Sequence, residues 1–178
     1  MASTSSRSRA WMLTMLLTSV ALVACGGGED AGSEFPPLMG SYGATPIEPG
    51  KFDQYYTMSD GETEYFWCSG YVDVADQQGG AWTGSLIRGQ RRPGGRCDHK
   101  GTIVGQVDQD GVLTFTVTQE GWSRDCRSTG PGHYTGQLHR NRFYAEGTTP
   151  IVCEDGRQGT VREVVSATFP APEGTHDT

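Results

Sequence analysis

A five-residue pattern recurs along this chain and constrains its fold more than any other feature: an apolar residue, any residue, glycine, any residue and an apolar residue. Side chains alternate between the two faces of a β-strand, so the two apolar residues and the glycine of each copy share one face. A glycine on the concave face allows a strand to coil tightly, as closed barrels require. The copies are Trp82–Leu86, Ile103–Val107 and Tyr134–Leu138, with a weaker one at Cys68–Val72.

The turns between these strands predict which residues pair. Asp108–Gly111 is typical of a type I turn with glycine in the left-handed position, and Arg140–Asn141 forms a two-residue loop. The expected partners are Val107 with Leu113, Gly105 with Phe115 and Ile103 with Val117 in the first hairpin; Leu138 with Phe143, Gly136 with Ala145 and Tyr134 with Gly147 in the second; and Val74 with Trp82, Val72 with Gly84 and Gly70 with Leu86 in a third. Each register places the apolar residues of both strands on one buried face. A slip of one residue would move the apolar side chains of one strand to the opposite face.

With one strand added at each end, the pattern predicts an all-β domain of about eight strands. The strands are expected at 52–58, 64–74, 82–88, 102–108, 112–118, 134–139, 142–148 and 160–169. Successive hairpins form an antiparallel meander, and eight strands suffice to make a closed or nearly closed barrel. A two-sheet β-sandwich is the alternative architecture.

Strands Trp82–Leu86 and Tyr134–Leu138, with their central glycines, resemble those of the avidin and lipocalin class of small β-barrels. The resemblance implies a barrel fold with an interior able to hold a small ligand. It identifies no ligand-binding residue in this chain.

The N-terminus predicts export and lipid attachment. Arg7 and Arg9 precede an apolar run, Trp11–Ala24, which is shorter than the roughly 20 residues of a membrane-spanning helix. The run ends in Leu22–Cys25, a sequence that resembles the lipobox of bacterial lipoproteins. That resemblance implies cleavage of signal residues 1–24 and attachment of diacylglyceryl and acyl (palmitate-type) chains to Cys25. It also implies a membrane anchor in the cell envelope. The alternative is an ordinary cleaved signal followed by an accidental cysteine.

Composition divides the remaining chain and limits its partners. Residues 25–50 are rich in glycine and proline and are predicted to be a flexible tether, whereas 51–169 form one domain and 170–178 a disordered tail. Removing the signal takes away two of the 14 basic residues and none of the 21 acidic ones, giving a net charge of 12 − 21 = −9. This charge argues against nucleic acid or anionic lipid as the main partner. Gly26 is compatible with sorting to the outer membrane, on its periplasmic or surface face.

Four further cysteines predict two disulfides, since an exported domain folds in an oxidising compartment. Cys126 and Cys153 straddle the 134–147 hairpin, which favours a bond between them and leaves Cys68 to pair with Cys97. Cys97–Cys126 around the 103–117 hairpin is the rival pairing. A metal site including Cys97-Asp98-His99 and Asp125-Cys126 is the less favoured interpretation, because the chain has no Cys-x-x-Cys pair.

No catalytic motif is present: the chain lacks a Gly-x-Ser-x-Gly elbow, a His-Glu-x-x-His motif and a phosphate-binding loop. We therefore expect a non-enzymatic protein without a cofactor or metal. A small hydrolase is the least favoured alternative.

Two groups of residues are candidates for binding. The inward aromatic residues, which by themselves are expected of any core, are Trp82, Phe115, Tyr134 and Phe143. The arginines of a Gly/Pro-containing loop, which could contact an anion or simply be solvated, are Arg88, Arg91, Arg92 and Arg96. The first group predicts a small ligand in the barrel. The second predicts an envelope inhibitor or assembly factor that binds a protein through its loops.

Overall fold

The computed structural model describes residues 34–44, 48–89, 97, 99–120 and 125–169. Its ten strands are β1 (Gly40–Tyr42), β2 (Gly50–Met58), β3 (Thr63–Gln78), β4 (Ala81–Gly89), β5 (His99–Val107), β6 (Val112–Glu120), β7 (Cys126–Ser128), β8 (Gly132–His139), β9 (Arg142–Cys153) and β10 (Gln158–Thr168). All eight predicted strands are present, most of them longer than expected. The described residues contain no helix long and apolar enough to cross a bilayer.

Eight strands close into an antiparallel barrel, which confirms the predicted fold class and excludes the sandwich. Their order is β3-β2-β10-β9-β8-β6-β5-β4, and β4 pairs again with β3. The two short strands lie outside this circuit, since β1 pairs with β3 and β7 with β9. Closure leaves no unpaired edge along the eight-strand circuit.

Two of the three predicted hairpin registers are confirmed. Val107 pairs with Leu113 across β5 and β6, and Leu138 pairs with Phe143 across β8 and β9. Gly111 has a φ of 80°, the left-handed conformation predicted for this turn. The turn sequences were sufficient to predict these two registers because only a few residues separate the paired strands of each hairpin.

The third register is wrong by two residues. Val74 pairs with Gly84 instead of Trp82, and the turn is the shorter Gly79–Gly80 loop, in which Gly79 has a φ of 59°. A bulge at Ala75 inserts one unpaired residue between the pairs on either side. The bulge shifts the inward side of β3 from the even-numbered residues that end at Val74 to Gln77, which pairs with Trp82, and so allows a two-residue turn while Trp82 stays inside the barrel.

The folded domain begins before the predicted boundary at Lys51. Leu38 is fully buried and Tyr42 is 4% exposed, both within the main core. The Tyr42 ring lies 5.3 Å from that of Phe169, and Phe35 packs close to Gly80. We call this side the plugged end; its turns are Gly79–Gly80, Asp108–Gly111 and Arg140–Asn141. The tether prediction failed here because glycine and proline mark the absence of regular structure, not the absence of packing.

Both preferred disulfides are present, Cys68–Cys97 and Cys126–Cys153. The first connects β3 to the residues just before β5, and the second connects β7 to the end of β9. The opposite side of the barrel from the plugged end carries the turns 59–62 and 154–157 and the Cys126–Cys153 bond. We call it the pocket end.

Several predictions concern parts of the chain outside the described residues. They are the signal 1–24, the lipidated Cys25, the first part of the tether up to residue 33, and the tail 170–178. These stay predictions from the sequence.

Candidate ligand site in the barrel interior

The four inward aromatic residues form one cluster: Trp82, Phe115, Tyr134 and Phe143. The Phe115 and Tyr134 rings stack with centroids 5.0 Å apart, and Trp82 meets Phe115 edge-on at 5.2 Å. Phe143 lies 6.3 Å from Trp82 and 5.9 Å from Phe115. None is more than 4% exposed. The structure therefore brings these residues together, with their rings packed against one another.

Two glycines provide the space for this cluster. A Cβ atom on Gly105 would lie 2.6 Å from Phe115 Cβ and 2.7 Å from Trp82 Cε2, and one on Gly147 would overlap the Tyr134 ring. Any other residue would displace an aromatic side chain at these positions. The central glycine of the Ile103–Val107 repeat thus serves side-chain packing as well as strand coiling.

The sequence analysis placed Arg88 in an exposed anion-contact loop, and this prediction is wrong. Arg88 points into the barrel from β4 and is 2% exposed. It follows Trp82, Gly84 and Leu86 on the inward face by strict alternation. Its Nη2 donates to Oε1 of Glu163, which lies on β10 and 75 residues away in sequence. The prediction failed because a charged residue on a buried face needs a partner, and this partner comes from a distant strand.

The other residues of that predicted loop, Arg91, Arg92 and Arg96, lie outside the described residues. Their role in anion contact stays a prediction. The alternative metal site is wrong in its thiol ligands, because Cys97 and Cys126 are each bonded in a disulfide. Among the described residues, no group of three His, Cys, Asp or Glu side chains is suited to hold a metal ion.

Glu163 is the centre of a buried hydrogen-bond network. Besides Arg88, its Oε1 accepts from the Tyr134 hydroxyl at 3.0 Å, and its Oε2 accepts from Gln54 Nε2 at 2.6 Å. Gln54 Oε1 in turn accepts from the Tyr56 hydroxyl at 3.1 Å. Both carboxylate oxygens therefore have donors, as a carboxylate that is 1% exposed requires.

This network is a polar layer between two apolar clusters. On β2, Phe52 belongs to the main core and Tyr56 to a smaller cluster at the pocket end, with Gln54 between them. On β10, Glu163 likewise separates Val165 of the main core from Val161 of the smaller cluster. We use the name polar layer for Gln54, Arg88, His99 and Glu163 with the Tyr134 hydroxyl. A layer of this kind is costly to bury unless its groups are paired.

Hydrogen bonding in the polar layer is incomplete at Arg88 and His99. These two residues lie directly opposite each other on the neighbouring strands β4 and β5. Within the described part of the chain, Nε and Nη1 of Arg88 are buried without a hydrogen-bond partner, and neither ring nitrogen of His99 makes a hydrogen bond of ordinary geometry, although the Cys97 carbonyl is close enough to the imidazole to raise its pKa. Their side chains are at most 5% exposed. Buried groups of this kind are uncommon in proteins, and they distinguish Arg88 and His99 from Glu163, whose two carboxylate oxygens both have donors.

The charges of these two residues follow from their surroundings. Burial is the largest single influence on the pKa of Arg88 and acts to lower it, but the charge and hydrogen bond of Glu163, together with Tyr134 and Tyr56, act in the opposite direction, and the pKa is raised. Burial, and then the positive charge of Arg88, lowers the pKa of His99 from 6.5 to about 2, although the nearby Cys97 carbonyl acts in the opposite direction. The guanidinium is therefore charged and the imidazole neutral. Burial, followed by the charge of Glu163, raises the pKa of Tyr134, so its hydroxyl remains a donor.

A surface pocket of about 350 Å³ opens at the pocket end, beside the polar layer. Its lining includes Tyr56, Met58 and Glu64, together with the Cys126–Cys153 disulfide. Tyr56 is thus shared between the pocket wall and the polar layer, since its hydroxyl donates to Gln54. Through Tyr56, the wall of the pocket adjoins the buried hydrogen-bond network.

The sequence analysis missed Gln54 and Glu163, and it named His99 only as part of the less favoured metal site. Alternation along the strands could have found them, because Glu163 lies between Val161 and Val165 on an inward face. What alternation could not supply was the partner of each polar side chain, which depends on closure of the barrel.

Comparison with known proteins identifies no matching family model, no matching curated protein and no matching solved structure. Neither the fold nor the polar layer can therefore be assigned a role by likeness to a relative. The proposals that follow depend on the chemistry of this chain.

Proposed function

We propose that this protein is a non-enzymatic binding module of the cell envelope that holds a small ligand in its barrel at the pocket end. The observation that carries the proposal is the incomplete pairing of Arg88 and His99 in an otherwise well-paired polar layer. A bound molecule would supply the missing partners, and ligand sites commonly combine apolar walls with a few polar groups. The stacked aromatic cluster beneath the layer would form a rigid floor for such a ligand.

A binding role accounts for the site better than a catalytic one. General-base catalysis by a histidine requires a hydrogen bond from the nucleophile to an imidazole nitrogen, within reach of substrate. Neither nitrogen of His99 has such a partner among the described residues. The arrangement is suited to recognising polar atoms, and the described residues place no nucleophile in hydrogen-bond contact with the imidazole.

The proposed anchor would hold the plugged end close to the membrane. Cys25 lies nine residues before Glu34, the first described residue, so the connecting chain can extend about 30 Å at most. Several acyl chains on Cys25 would provide stable attachment, which one chain would not.

Lipid attachment is tested by labelling with a radioactive or alkyne-bearing fatty acid. The unaltered protein should incorporate the label, and Cys25→Ala should abolish incorporation. Label that persists in the variant would contradict the anchor.

Ligand binding is tested by native mass spectrometry of the mature protein, extracted from membranes in mild detergent and desalted gently. We expect a reproducible extra mass that disappears on denaturation, with the lipid-bearing chain as the mass reference. Only the mass of the lipid-bearing chain, in every preparation, would contradict a retained small ligand.

A further inference from the structure

The unpaired atoms of the polar layer define the chemistry of a ligand more closely than its size does. In Arg88, Nε carries one N–H and Nη1 carries two, and neither atom has a partner among the described residues. A neutral imidazole at His99 adds one donor and one acceptor. Arg88 and His99 therefore present a surplus of donors together with a single acceptor nitrogen.

The negative charge that Arg88 needs is already supplied by Glu163. Both oxygens of that carboxylate are occupied, by Arg88 and Tyr134 on one side and Gln54 on the other. A second anion would place two negative charges against one guanidinium in a desolvated interior, where like charges repel strongly. The ligand that completes this site is accordingly uncharged.

An amide group meets both requirements. Its carbonyl oxygen accepts hydrogen bonds at two lone pairs, as the free donors of Arg88 require, and its N–H donates to the acceptor nitrogen of His99. Arg88 and His99 are directly paired on neighbouring strands and both are buried inside the barrel, so one small planar group can contact both side chains. An ester has the carbonyl but no N–H, and a carboxylate has the charge that the site already contains.

From this complementarity we infer that the polar layer binds an uncharged amide, with Arg88 donating to its carbonyl oxygen and His99 accepting from its N–H. The inference rests on the proposed function and narrows it to one ligand class. Entry from the pocket end requires movement of Tyr56, which is 2% exposed and whose hydroxyl donates to Gln54 at the edge of the layer.

Three small probes of similar size separate the possibilities: acetamide, acetate and methyl acetate. Each is titrated into the mature protein in detergent while the imidazole signals of His99 are followed by nuclear magnetic resonance. The signals are assigned by their loss in His99→Leu. Acetamide should shift them saturably, and acetate and methyl acetate should bind at least tenfold more weakly.

The matched variants are His99→Leu and His139→Leu, the second on the exposed end of β8. Thermal stabilisation by acetamide provides a readout for both variants. Apart from the contact between the imidazole and the Cys97 carbonyl, His99→Leu removes no polar interaction of this side chain within the described structure, so it should fold, and it should weaken acetamide binding at least fivefold. His139→Leu should leave binding unchanged.

The inference would be overturned if acetate bound as tightly as acetamide or more tightly, or if none of the three probes bound. It would also be overturned if His99→Leu left the affinity for acetamide unchanged. The mass measurement of the preceding subsection distinguishes these failures from failure of the proposed function. A retained ligand that does not depend on His99 would leave the binding function intact and remove only the amide assignment.

Discussion

His99 should make the stability of the barrel depend on pH. In the folded chain its pKa is lowered to about 2, first by burial and then by the charge of Arg88, whereas in the unfolded chain it is near 6.5. The unfolded state therefore binds more protons between these two values. Stability contributed by the neutral imidazole is fully present above pH 6.5 and is lost as the pH falls toward 2.

The magnitude follows from the size of this window. Each pH unit below 6.5 removes about 1.36 kcal/mol from the free energy of unfolding. At pH 5, which is about 1.5 units below 6.5, the loss attributable to His99 is about 2 kcal/mol relative to pH 7.5. Carboxylates elsewhere in the chain also titrate in acid, so the effect must be measured as a difference between variants.

The perturbation is His99→Leu, which replaces the imidazole by an apolar side chain of similar volume that does not titrate. Urea unfolding curves of the unaltered protein, His99→Leu and the surface control His139→Leu are recorded at pH 7.5 and 5 with the disulfides intact. His99→Leu should lose about 2 kcal/mol less than the unaltered protein between the two pH values. His139→Leu should follow the unaltered protein.

An identical loss of unfolding free energy in the unaltered protein and in His99→Leu would refute the reasoning. Such a result would mean that the imidazole is hydrated or paired in solution in a way that allows it to be protonated in the folded state. A stabilised His99→Leu variant at pH 7.5 would be consistent with removal of the unpaired nitrogens.

Three further predictions concern the interior and its covalent links. Glu163→Gln leaves the charge of Arg88 buried without a counterion and should lower the free energy of unfolding, measured by urea denaturation, by about 3–5 kcal/mol. The double variant Glu163→Leu with Arg88→Met removes both charges and should restore much of this loss. Equal instability of the single and double variants would contradict the ion-pair argument. Trp82→Ala removes the largest buried side chain of the aromatic cluster and should cost about 3–5 kcal/mol by the same assay, and a loss below about 1 kcal/mol would show that the interior collapses around the site. Replacing Cys126 and Cys153 together by serine removes a disulfide with a sequence separation of 27 and should lower the free energy of unfolding by about 2–4 kcal/mol. An unchanged melting temperature would contradict this prediction.

Local sequence patterns were sufficient to predict the strands and most of their registers. The glycine-centred repeat identified which face of each strand is buried, as Gly105 opposite Phe115 shows. The short turns at Asp108–Gly111 and Arg140–Asn141 determined their hairpins because few residues separate the paired strands. The same registers placed the Cys126–Cys153 ends close together.

The sequence failed where an interaction depends on residues that are far apart in the chain. The bulge at Ala75 reconciles a short turn with the buried face of β3, which turn chemistry alone does not reveal. Leu38 and Tyr42 are recognisable as core residues only when the plugged end is formed.

The polar layer shows most clearly which features can be predicted from the sequence and which depend on the tertiary structure. Alternation along β4 and β10 is sufficient to assign Arg88 and Glu163 to inward faces once the strand bounds are known, although the sequence analysis placed Arg88 in a loop and did not identify Glu163. Only barrel closure places the two side chains in contact across 75 residues of sequence, and only the completed interior shows which polar atoms of Arg88 and His99 remain without partners. Strand periodicity is a property of neighbouring residues, whereas compensation of a buried charge depends on every strand that surrounds it.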